Sequence, residues 1–122
     1  MMSLLIVDDD PRMRSLIRSI LVDLADSITE CGDGDEAEAC YAEYHPDWVL
    51  MDLMMPRMGG LEATRRIMVS NPAAKIVVVT GRDGQSLRAA AESDGACAFV
   101  SKENLSDLRE LIKPASRLSV SA

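Results

Sequence analysis

The chain has 122 residues, enough for one core, and its 48% apolar and 27% charged residues are the balance of a folded domain rather than of a disordered or fibrous chain. Thirteen basic residues against twenty acidic leave a net charge of −7, which opposes nucleic-acid binding, and one Phe, two Tyr and one Trp are too few for base-stacking platforms. No apolar run approaches the ~20 residues that span a bilayer, and the amino end lacks the basic start and apolar run of a secretory leader, so a cytoplasmic protein without membrane contact is expected.

Leu4 to Val7 form the first of four short apolar runs without alternation, the pattern of strands buried on both faces. Asp10 before Pro11 suits a helix cap followed by the first helical position. Met13, Leu16, Ile17, Ile20, Leu21 and Leu24 then line one face of a helix, with Arg12, Arg14 and Arg18 expected to point outward. Residues 27 to 31 alternate polar with apolar and predict a strand at a sheet edge, exposed on one side. Asp33 and Glu36 resemble a capping pair ahead of a second helix carrying Ala37, Cys40, Tyr41 and Tyr44.

Trp48 to Met51 predict the third strand, and a helix from about Gly60 carries Leu61, Ile67 and Met68 up to the break at Asn71 and Pro72. Ile76 to Val79 and Ala96 to Val100 predict the last two strands. Between them, a helix near Gln85 to Ser93 has Leu87 as its one large apolar residue. Leu105, Leu108, Leu111 and Ile112 mark the last helix, with Asn104 as its expected cap and Pro114 ending or kinking it. Cys31, Cys40 and Cys97, odd in number and widely spaced, read as reduced structural thiols. Strict strand–helix alternation predicts a doubly wound α/β domain with a parallel sheet, in which ligands sit beyond the carboxyl ends of the strands.

Those ends are polar. Asp8, Asp9 and Asp10 follow the first strand, Asp52 the third, Thr80 the fourth and Lys102 the fifth. With Asp10 accounted for as a cap, Asp8 and Asp9 need another explanation. If Asp52 joins them, each carboxylate pair costs about 4 kcal/mol at 4 Å with an effective dielectric near 20. A hard divalent cation offsets that cost. Mg²⁺ suits an oxygen-only set that leaves room for water, and the absence of His and Cys beside the acids argues against zinc. A carboxylate beside Mg²⁺, a lysine and a threonine hydroxyl is a reasonable phosphoryl acceptor.

The stretches LLIVDDDPRMR, DWVLMDLMMPRMGGLEA, KIVVVTGR and GACAFVSKENL resemble, in order and spacing, the receiver domains of two-component response regulators. The resemblance covers nearly the whole chain. It implies a flavodoxin-like single domain over residues 1–122 with a five-stranded sheet in the order 2-1-3-4-5, a core of about 3–113, and 114–122 as a tail or the start of a linker. It further implies that Asp52 is the phosphoacceptor, that Asp9, Asp52 and the Met54 carbonyl hold Mg²⁺ (or Mn²⁺ in its place), and that Asp8 acts through water. Thr80 resembles the switch hydroxyl, Phe99 the switch aromatic, and Lys102 the lysine that pairs with phosphoryl oxygens. Gly81, Met54 and Arg82 are neighbours of the phosphoryl pocket, the last two at positions where the family tunes hydrolysis. The implied partners are a histidine kinase or phosphotransfer protein as phosphodonor and a downstream effector protein or output domain, with a phosphorylation-dependent homodimer as a further arrangement. Switching is expected around the fourth helix, fifth strand and fifth helix. The implied activity is that of a signalling phosphoacceptor rather than a dedicated enzyme.

Three positions depart from the family pattern. Glu103 stands where a cis-proline usually follows the lysine, and a cis bond before a non-proline residue costs about 3 kcal/mol, so a trans peptide is expected. Gly59 removes a side-chain cap from the third helix, and Phe99 lacks the hydroxyl of a tyrosine. His45, the single histidine, lies before Pro46 in a loop away from the strand ends. Three rival readings each meet an obstacle in the residues. A phosphorylation-independent interaction module, or pseudo-receiver, is opposed by the intact acids, Thr80 and Lys102. A haloacid-dehalogenase-like phosphatase is opposed by Pro11 and Arg12 after the acids, by the lack of a later acidic pair and by the lack of a cap insertion. An FMN carrier is opposed by acids where a phosphate loop belongs.

Overall fold

A computed structural model describes residues 2–81 and 85–113. Strands and helices alternate: β1 (Ser3–Val7), α1 (Pro11–Leu21), β2 (Ser27–Cys31), α2 (Gly34–Tyr44), β3 (Trp48–Met51), α3 (Gly60–Ser70), β4 (Ile76–Thr80), α4 (Gln85–Ser93), β5 (Ala98–Ser101), and α5 (Asp107–Ile112) after a 3-10 turn over Lys102–Asn104. The five strands form one parallel sheet in the order β2-β1-β3-β4-β5, the flavodoxin-like doubly wound arrangement expected above. The segment expected to be a tail, 114–122, lies outside the described residues.

Strand alternation divides the core between two layers. Leu4, Ile6, Leu50, Val77 and Val79 face the layer that holds Ile17 and Leu21 of α1 and Leu108 and Ile112 of α5. Their neighbours Leu5, Val7, Val49, Met51 and Ile76 face Ala37 and Tyr41 of α2 and Ala63 and Ile67 of α3. Val78 looks the same way, toward Ala91 of α4. Because β1, β3 and β4 are covered on both sides, their sequences are continuous apolar runs.

β2 lies at the sheet edge as expected, but neither of its faces is left fully exposed. Ile28 and Cys31, an odd number of residues apart, point to opposite layers and join different clusters. Glu30 shares the Ile28 side, where Arg14 Nε donates to its Oε1 at 2.9 Å and Arg18 Nε to its Oε2 at 2.7 Å. The outward orientation expected for Arg14 and Arg18 is therefore corrected. Edge-strand surface that lacks apolar cover is covered here by arginine stems whose heads reach a carboxylate.

Helix ends follow the local chemistry. Asp10 caps α1 by accepting the Arg12 N–H, with Pro11 at the first helical position. Asp33 caps α2 by accepting the Asp35 N–H, while Glu36 accepts from Gly32. At the other end of α2, His45 takes the left-handed conformation (φ 44°) with its N–H donating to the Tyr41 carbonyl, and the proline after it keeps the helix from continuing. Gly59 precedes α3 without a side-chain cap, as its missing side chain requires. Asn104 does not cap α5. Ser101 instead accepts the Glu103 N–H and starts the 3-10 turn, and α5 begins only after Ser106. No peptide among the described residues is cis, so Lys102–Glu103 is trans.

Three apolar residues assigned to buried faces are exposed: Leu16 at 45%, Tyr44 at 52%, at the last turn of α2, and Leu111 at 37%. α1 and α5 each bury a narrower stripe than their sequences suggest. Leu108→Ala should therefore cost about 2–5 kcal/mol of stability, whereas Leu111→Ala should cost under about 1 kcal/mol, both read from chemical denaturation.

Candidate functional site

Two backbone hydrogen bonds carry the sheet one residue past its central strands. The Asp8 N–H donates to the Cys31 carbonyl at 3.1 Å and the Asp52 N–H to the Val7 carbonyl at 2.9 Å. Since Val7 registers with Met51, the residues after them, Asp8 and Asp52, stand at adjacent strand ends. Both are buried, at 1% and 5% exposure, while Asp9 is exposed. Carboxylate oxygens of all three lie within 4.8 Å of one another.

Lys102, in the turn after β5, reaches this cluster from two strands away. Its Nζ sits 3.0 Å from Asp8 Oδ2 and 3.2 Å from Asp52 Oδ1. Thr80, at 1% exposure, closes β4 beside it. Asp8, Asp9, Asp10, Asp52, Met54, Thr80, Gly81 and Lys102 line one open pocket of about 490 Å³. That volume is many times the ~30 Å³ share of a water molecule, so a hydrated ion and a tetrahedral group fit together. Met54 is 58% exposed at its rim. Phe99 lies apart from this pocket, partly buried against the cluster of Leu53, Val78 and Ala91, with the Arg88 guanidinium 4.6 Å from its ring centroid. Arg82 lies outside the described residues.

Charge in the pocket is unbalanced, with four carboxylates and one ammonium among its lining residues. Burial pushes the Asp52 carboxyl above the ordinary range, the neighbouring Asp8 charge adds to this, and Lys102 opposes it. Burial would depress the Lys102 ammonium, but Asp8 and Asp52 outweigh it and raise its pKa, which keeps it charged. Asp8 Oδ1 accepts the Asp10 N–H at 2.9 Å. Its Oδ2 is buried and, although within ion-pair distance of Lys102, has no donor in hydrogen-bond geometry. An oxygen-only donor set with an unsatisfied buried carboxylate oxygen fits a hard cation of the Mg²⁺ type.

Four residues that support the pocket carry no local sign of that role in the sequence. Arg14 Nη1 donates to the Asp8 carbonyl at 2.5 Å, pinning the chain where β1 ends. Glu30, which holds Arg14, stays ionised: burial works against its charge, but Arg18 and Arg14 hold its carboxyl below the usual range. Asp33 accepts backbone N–H groups from the loop after β3 as well as capping α2. The acid at the end of β2 was legible, but its second contact spans more than twenty residues of sequence. Gly60 also has a spatial role: a Cβ there would lie 2.0 Å from the Asp52 carbonyl oxygen, so only glycine lets α3 start against the strand end.

Comparison with known proteins agrees with this geometry. The family model described as the response regulator receiver domain matches residues 4–113. The chemotaxis protein CheY of Listeria monocytogenes is 39% identical over 103 residues, covering 84% of this chain and 87% of that protein. A protein-glutamate methylesterase/protein-glutamine glutaminase of Paramagnetospirillum magneticum is 41% identical over 111 residues, which span 89% of this chain but 31% of that protein. Among solved structures, a two-component response regulator of the LuxR family from Aurantimonas sp. superposes with a TM-score of 0.85 at 32% identity, covering 96% of this chain and 84% of that one. Matched along almost all of its described length and carrying the acids, threonine and lysine at one end of its sheet, the chain belongs to the response regulator receiver domain family.

Proposed function

We propose that this domain accepts a phosphoryl group on Asp52 from a phosphohistidine of a partner kinase or phosphotransfer protein, in the cytoplasm, and that the transfer depends on Mg²⁺. The observation that carries this reading is the cluster of Asp8, Asp9 and Asp52 with the Lys102 ammonium 3.0 and 3.2 Å from two of them. Asp9, Asp52 and the Met54 carbonyl would hold the ion, with Asp8 reaching it through water; Mn²⁺ has the same ligand preference. When bound, the ion supplies positive charge that offsets the acids and the transferring group.

In the proposed step an Asp52 carboxylate oxygen attacks phosphorus, a new P–O bond forms, and the P–N bond to the donor imidazole breaks and leaves its electron pair on nitrogen. Lys102, charged beside the acceptor, opposes the rise in the Asp52 pKa that burial and the Asp8 charge cause, and so favours the ionised carboxylate that attacks. Lys102 shares its charge between Asp8 and Asp52, so it can turn toward phosphoryl oxygens without becoming unpaired. Thr80 supplies a hydroxyl from the end of β4, and Gly81 keeps the adjoining wall low, where an added Cβ would reach only ordinary contact with Lys102 Cδ at 3.9 Å. Added charge on Asp52 would redistribute Lys102 and Thr80 and with them the segments that follow β4 and β5. Arg88 stacked on Phe99 is the link from α4 to β5 in that response, and the surface of α4, β5 and α5 is the proposed face for an effector or a second copy.

Two outcomes follow for Asp52→Asn. After incubation with acetyl phosphate and Mg²⁺, the mass of the wild-type protein should rise by one phosphoryl group; no gain should occur in Asp52→Asn or in chelator. The same substitution should stabilise the metal-free protein. Because folding raises the Asp52 pKa above its ordinary 3.8, ionised Asp52 costs stability. That cost is absent well below the unfolded value and complete once pH exceeds the folded one. Asp52→Asn should thus gain on the order of 1 kcal/mol at pH 7 and lose the advantage below about pH 4, as measured by denaturant midpoints across pH.

A further inference from the structure

Asp33 is 3% exposed and stands outside the pocket. Its carboxylate does more than cap a helix. Oδ1 accepts the Asp35 N–H at 3.2 Å, the capping bond, and also the Met58 N–H at 2.8 Å; Oδ2 accepts the Arg57 N–H at 3.0 Å. The last two donors belong to the loop between β3 and α3, which starts beside Asp52 and borders the pocket at Met54. That loop has no strand or helix to satisfy its own amides, so a buried carboxylate does so across the interface with α2.

Neighbouring features serve the same junction. A Cβ on Gly34 would lie 2.4 Å from the Met58 carbonyl oxygen, so glycine at the first position of α2 is what lets the loop approach Asp33. At the far end of the loop the Gly60 N–H donates to the Leu53 carbonyl at 2.9 Å, closing the segment on itself. Arg57 also pairs with Asp35 at 3.0 Å and Glu36 at 3.3 Å, but its side chain is 64% exposed and such pairs contribute little. Burial works against the Asp33 charge, yet the N–H groups of Arg57, Met58 and Asp35, together with the Arg57 charge, hold its carboxyl below the usual range. The anion is what these donors prefer.

We infer that Asp33 is a positioning residue for the acidic pocket: by bonding the main chain at Arg57 and Met58 it holds the loop that presents residue 54 beside Asp52. The inference rests on the reading of the Met54 carbonyl as a ligand, and it adds a supporting residue on an element that contributes nothing else to the pocket. Partners that hold ligand-bearing groups commonly account for 10- to 100-fold in metal affinity.

A serine at position 33 separates the two roles. It caps a helix about as well as aspartate does but is too short to reach the loop. Amide hydrogen exchange over 53–58 and over α2, together with Mg²⁺ titration by calorimetry, should be compared for the wild type, Asp33→Ser and Arg57→Ala. Asp33→Ser should leave α2 protected, speed exchange in 53–58 by about tenfold or more, and weaken Mg²⁺ binding by about tenfold. Arg57→Ala, which keeps its backbone N–H, should resemble the wild type. Unchanged loop exchange in Asp33→Ser would overturn the inference, as would faster exchange with unaltered Mg²⁺ affinity, which would leave Asp33 a role in stability alone. Absence of Mg²⁺ binding in the wild type would defeat the cation reading itself, and the inference with it; that failure is recognised because it appears without any substitution. If Asp33→Ser does not fold, Asp33→Asn decides, since it keeps Oδ1 and loses only the acceptor facing Arg57: intermediate losses support the inference, and wild-type values for both readouts contradict it.

Discussion

Three carboxylates brought within 4.8 Å at one end of a sheet, with a single ammonium between two of them, are the interaction on which the rest of this molecule depends. At this spacing each uncompensated pair costs several kcal/mol, a large share of the stability of a small domain. The fold must supply that energy elsewhere. It does so with a central sheet whose Leu4, Leu5, Ile6, Val49, Met51, Ile76, Val77 and Val78 are each at most 1% exposed. An apolar sheet of that kind is rigid enough to hold like charges together, and its ladder delivers Asp8 and Asp52 to adjacent positions.

Around the acids, main-chain groups are secured by charged side chains drawn from elements that do not carry the chemistry. Arg14 on α1 holds the Asp8 carbonyl, Glu30 on β2 holds Arg14, and Asp33 before α2 holds the loop after β3. Lys102 is held from a different side, in a 3-10 turn capped by Ser101 and continued through a trans peptide to Glu103. Thus the pocket is framed by ionic contacts to backbone rather than by packing alone. Such contacts suit the proposed change of charge on Asp52, because carboxylates and guanidinium groups can be rearranged at lower cost than a close-packed core.

The layout of the sheet was legible because buried parallel strands have an unmistakable pattern, and the polar residue after each apolar run marked Asp8, Asp52 and Thr80 directly. Legibility ended where side chains act across long sequence separations. Arg14 and Arg18 read as solvated because nothing local indicates that β2 offers Glu30 on the same side. Periodicity placed Leu16 and Leu111 on buried faces, but the packed stripe of a helix is set by its neighbours, and α1 and α5 meet along a narrow seam. Asn104 looked like a cap because Asn is a good one; Ser101 took that role three residues earlier, where the chain leaves β5, and displaced the start of α5. Asp33 was readable as a cap and not as a clamp, since its second set of partners lies 24 and 25 residues away.

On the proposed function, the acidic cluster is an electrostatically strained arrangement that a divalent cation completes. Thermal unfolding of the wild-type protein, followed in chelator and then across a series of Mg²⁺ concentrations at constant ionic strength, tests it most directly. The account predicts a transition temperature that rises with the logarithm of Mg²⁺ concentration once the site begins to fill, as required for a ligand bound by the folded state alone. Identical transitions in chelator and in saturating Mg²⁺ would contradict it.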